Sequence, residues 1–262
     1  MGKIPARHSV AGRTDRGNNS IRAAQLDPER KRVLADFQKA AGIRFKSCEL
    51  LNLSFTHRSV SNENSSASDS GGKVNNERLE FLGDSILGAV CATLLYRNFP
   101  GKSEGELAKI KSVVVSEEIL SAVARVLQID SMLILGRGED LSGGRAKKAI
   151  LADAMEALIG ALYLDSGYKA AFDFVSRCIA PEIDRVTDSG SYRDYKSLLQ
   201  EQCQQRFRAY PDYRMVKKTG PEHERVFWVE VEINGRVFGP AIGRSKKAAE
   251  QEAARMAWDA IG

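Results

Sequence analysis

The stretch Glu77-Arg78-Leu79-Glu80-Phe81-Leu82-Gly83-Asp84-Ser85-Ile86-Leu87 has the spacing of a helix but carries acids where a core helix carries hydrocarbon. Glu77, Glu80 and Asp84 stand at i, i+3 and i+7 and share one helix face. A second stretch, Ala152-Asp153-Ala154-Met155-Glu156-Ala157-Leu158-Ile159-Gly160, places Asp153 and Glu156 in the same relation, and these are the only charges from Ala149 to Leu164. A carboxylate buried without a partner is costly. One acidic pair of this kind is ordinarily a solvated helix face or half of a salt bridge. Two of them, both inside apolar runs, point instead to five oxygen ligand sources converging on a cation. With no His or Cys among them, the set suits Mg²⁺ or Mn²⁺ rather than Zn²⁺.

Length and composition agree with this reading without requiring it. A chain of 262 residues with 43% apolar content can support two domains, each with its own core. Charge is unevenly spread: residues 1–32 carry a net +5, residues 33–191 a net −3 and residues 192–262 a net +3. A basic end module beside an acidic centre suits a chain that grips phosphates in one place and collects cations in another, although imbalances of this size also arise as ordinary surface variation. Cys48, Cys91, Cys178 and Cys203 are far apart and form no Cys-x-x-Cys or Cys/His pattern, which argues against zinc and against a disulfide framework. No run of about 18 consecutive apolar residues occurs, and no apolar segment follows the charged N-terminus. A soluble, cytoplasmic protein without membrane association is therefore expected.

Residues 1–26, rich in Arg, Gly, Asn and Ser and lacking periodicity, read as a basic disordered tail able to add nonspecific affinity for polyanions. A first helix starts after Asp27-Pro28 and ends before Gly42. Ser61 to Lys73 is a polar loop. The helix of the opening stretch runs from Asn76 to Arg97 and stops at Asn98-Phe99-Pro100-Gly101, and Ser103 with Glu106 forms a capping box for the next. A further helix spans Ser116 to Gln128, with Ile119, Leu120, Val123, Val126 and Leu127 as its buried stripe. The Gly-rich segment from Gly136 to Arg145 lacks the spacing of a phosphate-binding loop and reads as a turn. The second acidic helix runs from Lys147 to Asp165 and closes at Ser166-Gly167. Two more helices precede Thr187-Asp188-Ser189-Gly190-Ser191, which reads as a flexible linker.

Beyond that linker the periodicity changes. Tyr195 to Phe207 reads as a helix, Phe227 to Ile233 alternates with period two, and Asn234-Gly235 marks a hairpin turn before Arg236 to Gly243. An Ala-rich helix follows from Ser245, its N-cap, to Ile261. The fold class expected is an all-α N-terminal domain, residues 27–186, a linker over 187–191, and a small α+β domain of order α-β-β-β-α over 192–262.

Asn76-Glu77-Arg78-Leu79-Glu80-Phe81-Leu82-Gly83-Asp84-Ser85 resembles the signature of the ribonuclease III family. The resemblance extends to Phe55-Thr56-His57-Arg58-Ser59 and to Asp153-Ala154-Met155-Glu156-Ala157-Leu158. Asp194-Tyr195-Lys196-Ser197-Leu198-Leu199-Gln200-Glu201, Gly220-Pro221-Glu222-His223 and Ser245-Lys246-Lys247-Ala248-Ala249-Glu250 resemble the double-stranded RNA-binding domain. A nuclease domain followed by one such domain is the bacterial-type arrangement, which implies a homodimer. The resemblance assigns Glu80, Asp84, Asp153 and Glu156 to a divalent-metal cluster, with Mg²⁺ as the ion and Mn²⁺ as a substitute, and with Asp84 and Glu156 closest to catalysis. His57 is left as structural. Glu77 and Glu104 match acidic positions near the subunit interface and RNA-processing centre, though Glu104 also suits an ordinary first helical turn.

In the end module the resemblance turns Ser197, Gln200, Glu201 and Gln204 toward one minor groove of an RNA duplex and His223 toward the next. Lys246 and Lys247 hold the phosphates between them. The implied activity is metal-dependent hydrolysis of double-stranded RNA to 5′-phosphate and 3′-hydroxyl ends with short 3′ overhangs, with roles in ribosomal RNA precursor processing and messenger turnover. A catalytically silent double-stranded RNA-binding regulator would lack one or more of the four acids, and none is missing. A DNA-directed metal nuclease fits poorly with an end module that reads A-form RNA.

Overall fold

The computed structural model describes residues 26–63, 74–190 and 192–261. Apart from Leu26, the expected tail lies outside the described residues. So does the expected 61–73 loop, apart from its first three residues: Ser61 to Glu63 close a helix, and none of 64–73 is described. The chain divides into two compact units after Ser189.

The first unit is built from helices α1 (Pro28–Ala41), α2 (Cys48–Ser54), α3 (Arg58–Glu63), α4 (Glu77–Asn98), α5 (Glu104–Val114), α6 (Glu117–Val126), α7 (Ile129–Met132), α8 (Arg137–Leu141) and α9 (Lys148–Ser189). Local caps set several of these ends. Asp27 accepts the Arg30 N–H at 2.7 Å, Pro28 opens α1 and Gly42 closes it at φ +62°. The Ser103–Glu106 capping box opens α5 as expected.

The centre of this unit is the contact of α4 with α9. Leu79, Gly83, Leu87, Val90, Cys91 and Leu95 form the buried stripe of α4, and α9 is buried on nearly all sides from Ile150 to Leu162. Each large aliphatic side chain fully withdrawn from water here contributes roughly 1.5–3 kcal/mol. On length and composition α4 is apolar enough to cross a membrane, but its stripe lies against α9 and makes it a core helix. The two helices meet backbone to backbone. A Cβ on Gly83 would stand 1.8 Å from the Glu156 carbonyl oxygen, and one on Gly160 would stand 2.2 Å from that of Leu79.

The structure corrects the sequence reading in several places. Val126 is 83% exposed and leaves the α6 stripe, where Ala124 is buried instead. The Gly136–Arg145 turn contains α8 and a single 3-10 turn, Gly144–Ala146, and is clamped in place: Arg145 Nη1 donates to the Leu133 carbonyl at 2.8 Å. Helix α9 breaks at Gly167, at φ +84°, and then continues as one helical run over 168–189 rather than as two helices. Ala171, Phe174, Val175, Ile179, Ile183 and Val186 keep one apolar stripe through Pro181, and that burial outweighs the hydrogen bond the proline removes. The expected linker over 187–191 is helical as far as Ser189. Thr187 Oγ1 donates back to the Ile183 carbonyl at 2.9 Å and Val186 is buried, so its polar composition concealed a last helical turn.

The second unit comprises α10 (Tyr195–Phe207), β1 (Asp212–Thr219), β2 (Val226–Ile233), β3 (Arg236–Gly243) and α11 (Lys246–Ile261). The strands form an antiparallel sheet in the order β1-β2-β3. Asn234 and Gly235, at φ +48° and +80°, make the two-residue hairpin turn that right-twisted strands favour. Val229, Val231, Ile233 and Ala241 face Leu199, Cys203, Ala249, Ala253, Ala254 and Ala257 in one core. This is the α-β-β-β-α order expected.

Gly160→Ala should lower the unfolding free energy by about 1–3 kcal/mol or more, because backbone cannot yield as a side-chain tip can. Gly105→Ala, in open space on α5, should change it by no more than about 1 kcal/mol, in the stabilising direction. Urea or thermal unfolding of the two variants checks this, and equal stability would mean that the crossing relaxes freely.

Candidate active site and nucleic-acid interface

The helix crossing sets the separation of the carboxylates. Glu80 and Asp84 follow Leu79 and Gly83 by one residue, at the rim of the buried α4 stripe, while Glu156 and Asp153 lie four and seven residues before Gly160 on α9. Glu80, Asp153 and Glu156 are half-buried and Asp84 is exposed. Burial, and after it the charges of Asp84, Glu80 and Asp153, push the Glu156 carboxyl up to about 7. Burial also raises Glu80, with Asp153, Glu77 and Asp84 adding to the effect and Arg58 opposing it. Burial raises Asp153 too; Arg58 opposes that rise and Glu117 adds to it.

The four acids thus act on one another across the crossing. Among the described residues, none of the four accepts a hydrogen bond or forms an ion pair through its side chain. Nor, among those residues, do any three His, Cys, Asp or Glu side chains stand close enough to share a metal ion as they lie. The set is therefore open and mutually repulsive, without a protein partner among the described residues.

Glu80 and Asp153 open onto a cleft of about 160 Å³ that is also lined by His57, Arg58, Asn76 and Glu77. Asn76 is 3% exposed. Its side chain donates to the Ser54 carbonyl at 3.2 Å and its N–H to the Thr56 carbonyl at 2.9 Å, while its own carbonyl receives the Leu79 and Glu80 N–H groups. That residue fastens the start of α4 to the segment before α3. Glu77 is exposed and bonded: Oε2 accepts from Asn75 Nδ2 at 2.9 Å and Oε1 pairs with Arg58 Nη1 at 3.4 Å.

His57 Nδ1 accepts the Ser59 N–H and lies 2.9 Å from Ser59 Oγ, which itself accepts the Gly136 N–H at 2.8 Å. Burial lowers the pKa of this histidine, and its bonds tie the α3 start to the segment before α8. Glu104 sits exposed in the first turn of α5 and is not among the charges that shift Glu80, Asp153 or Glu156.

Sequence reasoning had not assigned a role to Asn76, Arg58 or Glu117. The first two lay inside quoted motifs, but their importance depends on contacts across the fold. A larger cavity of about 510 Å³ lies elsewhere, between the end of α1 and α9. Two of its cations already cap helix ends, Arg177 at the Gly42 carbonyl at 3.0 Å and Lys46 Nζ at the Asp165 carbonyl at 3.1 Å.

In the second unit, Ser197, Gln200, Glu201 and Gln204 are exposed on α10, away from its buried Leu199 and Cys203. The Ser197 hydroxyl donates to the N-cap, Asp194 Oδ2, at 2.8 Å. Lys246 and Lys247 are exposed in the first turn of α11, whose N-cap Ser245 Oγ accepts the Ala248 N–H at 3.1 Å. Gln251 Nε2 donates to Asp194 Oδ1 at 2.7 Å and Lys196 Nζ to Glu250 Oε2 at 2.7 Å, which joins the opening turns of the two helices. His223 belongs to a single 3-10 turn, Glu222–Glu224, between β1 and β2. Because Phe227 pairs with Gly243, this turn lies at the sheet end where β3 runs into α11. The start of α10 with Ser197, the Glu222–Glu224 turn and the start of α11 are thereby brought to one end of the unit, while Gln204 lies toward the other end, where Arg206 reaches the Ile261 carbonyl.

Comparison with known proteins agrees with both units. Residues 47–183 match the Ribonuclease-III-like family and residues 195–261 the double-stranded RNA binding motif. The chain is 53% identical over 234 residues to Ribonuclease 3 of Treponema denticola, covering 89% of this chain and 93% of that one. It is 50% identical over 236 residues to Ribonuclease 3 of Treponema pallidum, covering 90% and 92%. Among solved structures, the nuclease domain of ribonuclease III from Campylobacter jejuni superposes with a TM-score of 0.50 at 33% identity, covering 56% of this chain and 95% of that one. With a family match over the first unit, an RNA-binding motif over the second and relatives of 50–53% identity along most of the chain, the chain belongs to the ribonuclease III family of endoribonucleases.

Proposed function

We propose that this protein cleaves double-stranded RNA with the help of a divalent cation, Mg²⁺ by preference and Mn²⁺ as a substitute. The observation that carries this reading is the set of four carboxylates on two crossed helices, three of them half-buried, whose charges act on Glu156 and Glu80 and which have no hydrogen-bonding partner among the described residues, although no three stand close enough to share an ion as they lie. A fold tolerates such a cluster when a cation completes it. The donor set is all oxygen, which fits a hard divalent ion, and Glu80, Asp84, Asp153 and Glu156 are the residues that would hold it.

A divalent ion bound to such a site lowers the pKa of bound water and offsets charge on a leaving oxygen. The chain's own contribution is to hold the carboxylates on rigid helices and to keep hydrocarbon around Glu156. No His general base is required, in keeping with the structural bonds of His57. On this reading the products carry 5′-phosphate and 3′-hydroxyl ends.

The second unit supplies the substrate class. Lys246 and Lys247 place two cations at the positive end of a helix, an arrangement that costs stability unless an anion is received there. Polar side chains on α10 suit the 2′-hydroxyls of a shallow minor groove, so duplex shape rather than base order is read. A silent RNA-binding regulator is disfavoured, since all four acids are present on the two crossed helices.

We also propose that the active form is a homodimer. Phe81 and Tyr96, 78% and 77% exposed, lie with Ser85, Ala89 and Ala92 on the face of α4 opposite its buried stripe. Apolar surface of that kind is usually covered by a partner. Two such sites would cut the two strands and leave short 3′ overhangs. Processing of ribosomal RNA precursors and of messengers, in the cytoplasm, is the biological setting proposed, and the four free thiols suit a reducing compartment.

Incubation with a long end-labelled RNA duplex should give short duplexes with Mg²⁺ and only a gel shift with chelator; binding without cutting under Mg²⁺ and Mn²⁺ would sink the nuclease reading. Glu156→Gln should slow cleavage by roughly a hundredfold or more, since outer-shell changes alone cost 10–100-fold, while duplex affinity stays unchanged. With chelator present it should unfold at or above the wild-type temperature, because the charge removed is one its neighbours repel. Lys247→Gln should weaken binding to all duplexes alike and reduce the salt slope by about one. Phe81→Asp should shift the protein to a monomer in light scattering, and an unchanged mass would remove α4 from the interface.

A further inference from the structure

Arg58 is the first residue of α3, where a cation faces the positive end of the helix and is disfavoured. Its pair with Glu77 is long, 3.4 Å, between side chains 65% and 49% exposed. Pairs of this kind contribute little to folding. Glu77, by contrast, is well fixed: Asn75 donates to its Oε2 at 2.9 Å and accepts its N–H at 3.2 Å, and Asn75 is buried. The tether therefore holds Arg58 at the rim of the cleft that Glu80 and Asp153 share. It is the one positive charge among those acting on either acid, while Glu156 feels none. Neither helix formation nor surface pairing explains a guanidinium at this place.

We propose that Arg58 is a positioning residue for the carboxylate site: a counter-cation tethered by Glu77 that offsets the field of Glu80 and Asp153 and so weakens their hold on a divalent ion. The inference rests on the divalent-ion reading above. A loosely held ion keeps coordination positions for phosphate oxygens, and Mg²⁺ sites commonly share their ion with the substrate in this way. The acids can then stay charged before the ion arrives without forming a tight metal cage.

The test is calorimetric titration of Mn²⁺ into the purified full-length chain, without RNA, for the wild type, Arg58→Gln and Arg58→Lys. A neighbouring unit charge changes a carboxylate's affinity for a proton by about tenfold or more, so Arg58→Gln should bind Mn²⁺ about tenfold tighter and Arg58→Lys within about twofold of the wild type. All three metal-free proteins should unfold cooperatively, with Arg58→Lys matching the wild type and Arg58→Gln at or slightly below it, because it loses the cation that offsets the acids. Equal or weaker binding by Arg58→Gln overturns the proposal, as does equal tightening in Arg58→Lys, which would show that charge is not the cause. Absence of Mn²⁺ binding in all three overturns the divalent-ion reading itself.

Discussion

The glycine-to-glycine crossing of α4 and α9 is the constraint on which the rest of the first unit depends. Helices whose contact residues carry side chains pack with axes about 8–10 Å apart. Here Gly83 and Gly160 bring backbone against backbone, and any Cβ at either position would overlap a carbonyl. Because the acids occupy the rim of this contact, the crossing fixes the separation of their backbones, and side-chain conformation sets the rest. The surrounding apolar stripes hold the helices at that separation. The capping and loop contacts hold the stripes in register.

Two acids on the same helix show how differently the fold treats structure and chemistry. Burial also works against Asp165, but the Lys46 N–H, the Ser166 hydroxyl and the Ser47 N–H outweigh it and hold its pKa below the ordinary value. That acid is spent on joining the loop after α1 to the end of α9's first half. Glu156, two and a half turns earlier, receives no such donors and is pushed the other way. Donor groups were within the fold's means, as Asp165 demonstrates. Leaving Glu156 without them lowers stability, and a cation is the kind of ligand that reverses that loss.

The features legible in the sequence are those set locally. Helices α1 and α10 begin and end where Pro28, Gly42, Asp194 and the Tyr195–Phe207 periodicity place them, because a cap or a stripe acts within a few residues. The hairpin at Asn234-Gly235 is legible for the same reason. What escaped is non-local. Helices α2, α3 and α7 are too short for periodicity to identify, and Thr56 with Ile134 forms a parallel bridge between distant segments. Val126 has the right spacing for burial, yet no neighbour covers it. In the site, the acids were legible from residue type and spacing, whereas Asn76, Arg58 and Glu117 matter through partners tens of residues away. The resemblance to a known family singles out four of the five acids; in the structure Glu77 has hydrogen-bonding partners and the other four have none among the described residues.

The two units resolve opposite electrostatic problems with the same device. In the first, rigid helices hold anions together that would otherwise separate; in the second, the opening turn of α11 holds Lys246 and Lys247 at a positive helix end. The second arrangement stays in place because Lys196, Glu250, Asp194 and Gln251 bind the starts of α10 and α11 to each other. Each unit is thus organised against its own repulsion and is left short of one partner of opposite sign. Lys246 already pairs with Glu250 at 3.7 Å, while Lys247 has no ion pair among the described residues; on the proposed reading a phosphodiester would be received beside the lysines and a divalent ion between the carboxylates. On that reading a phosphate oxygen suits both kinds of partner, since it pairs with an ammonium group and also coordinates a hard divalent ion.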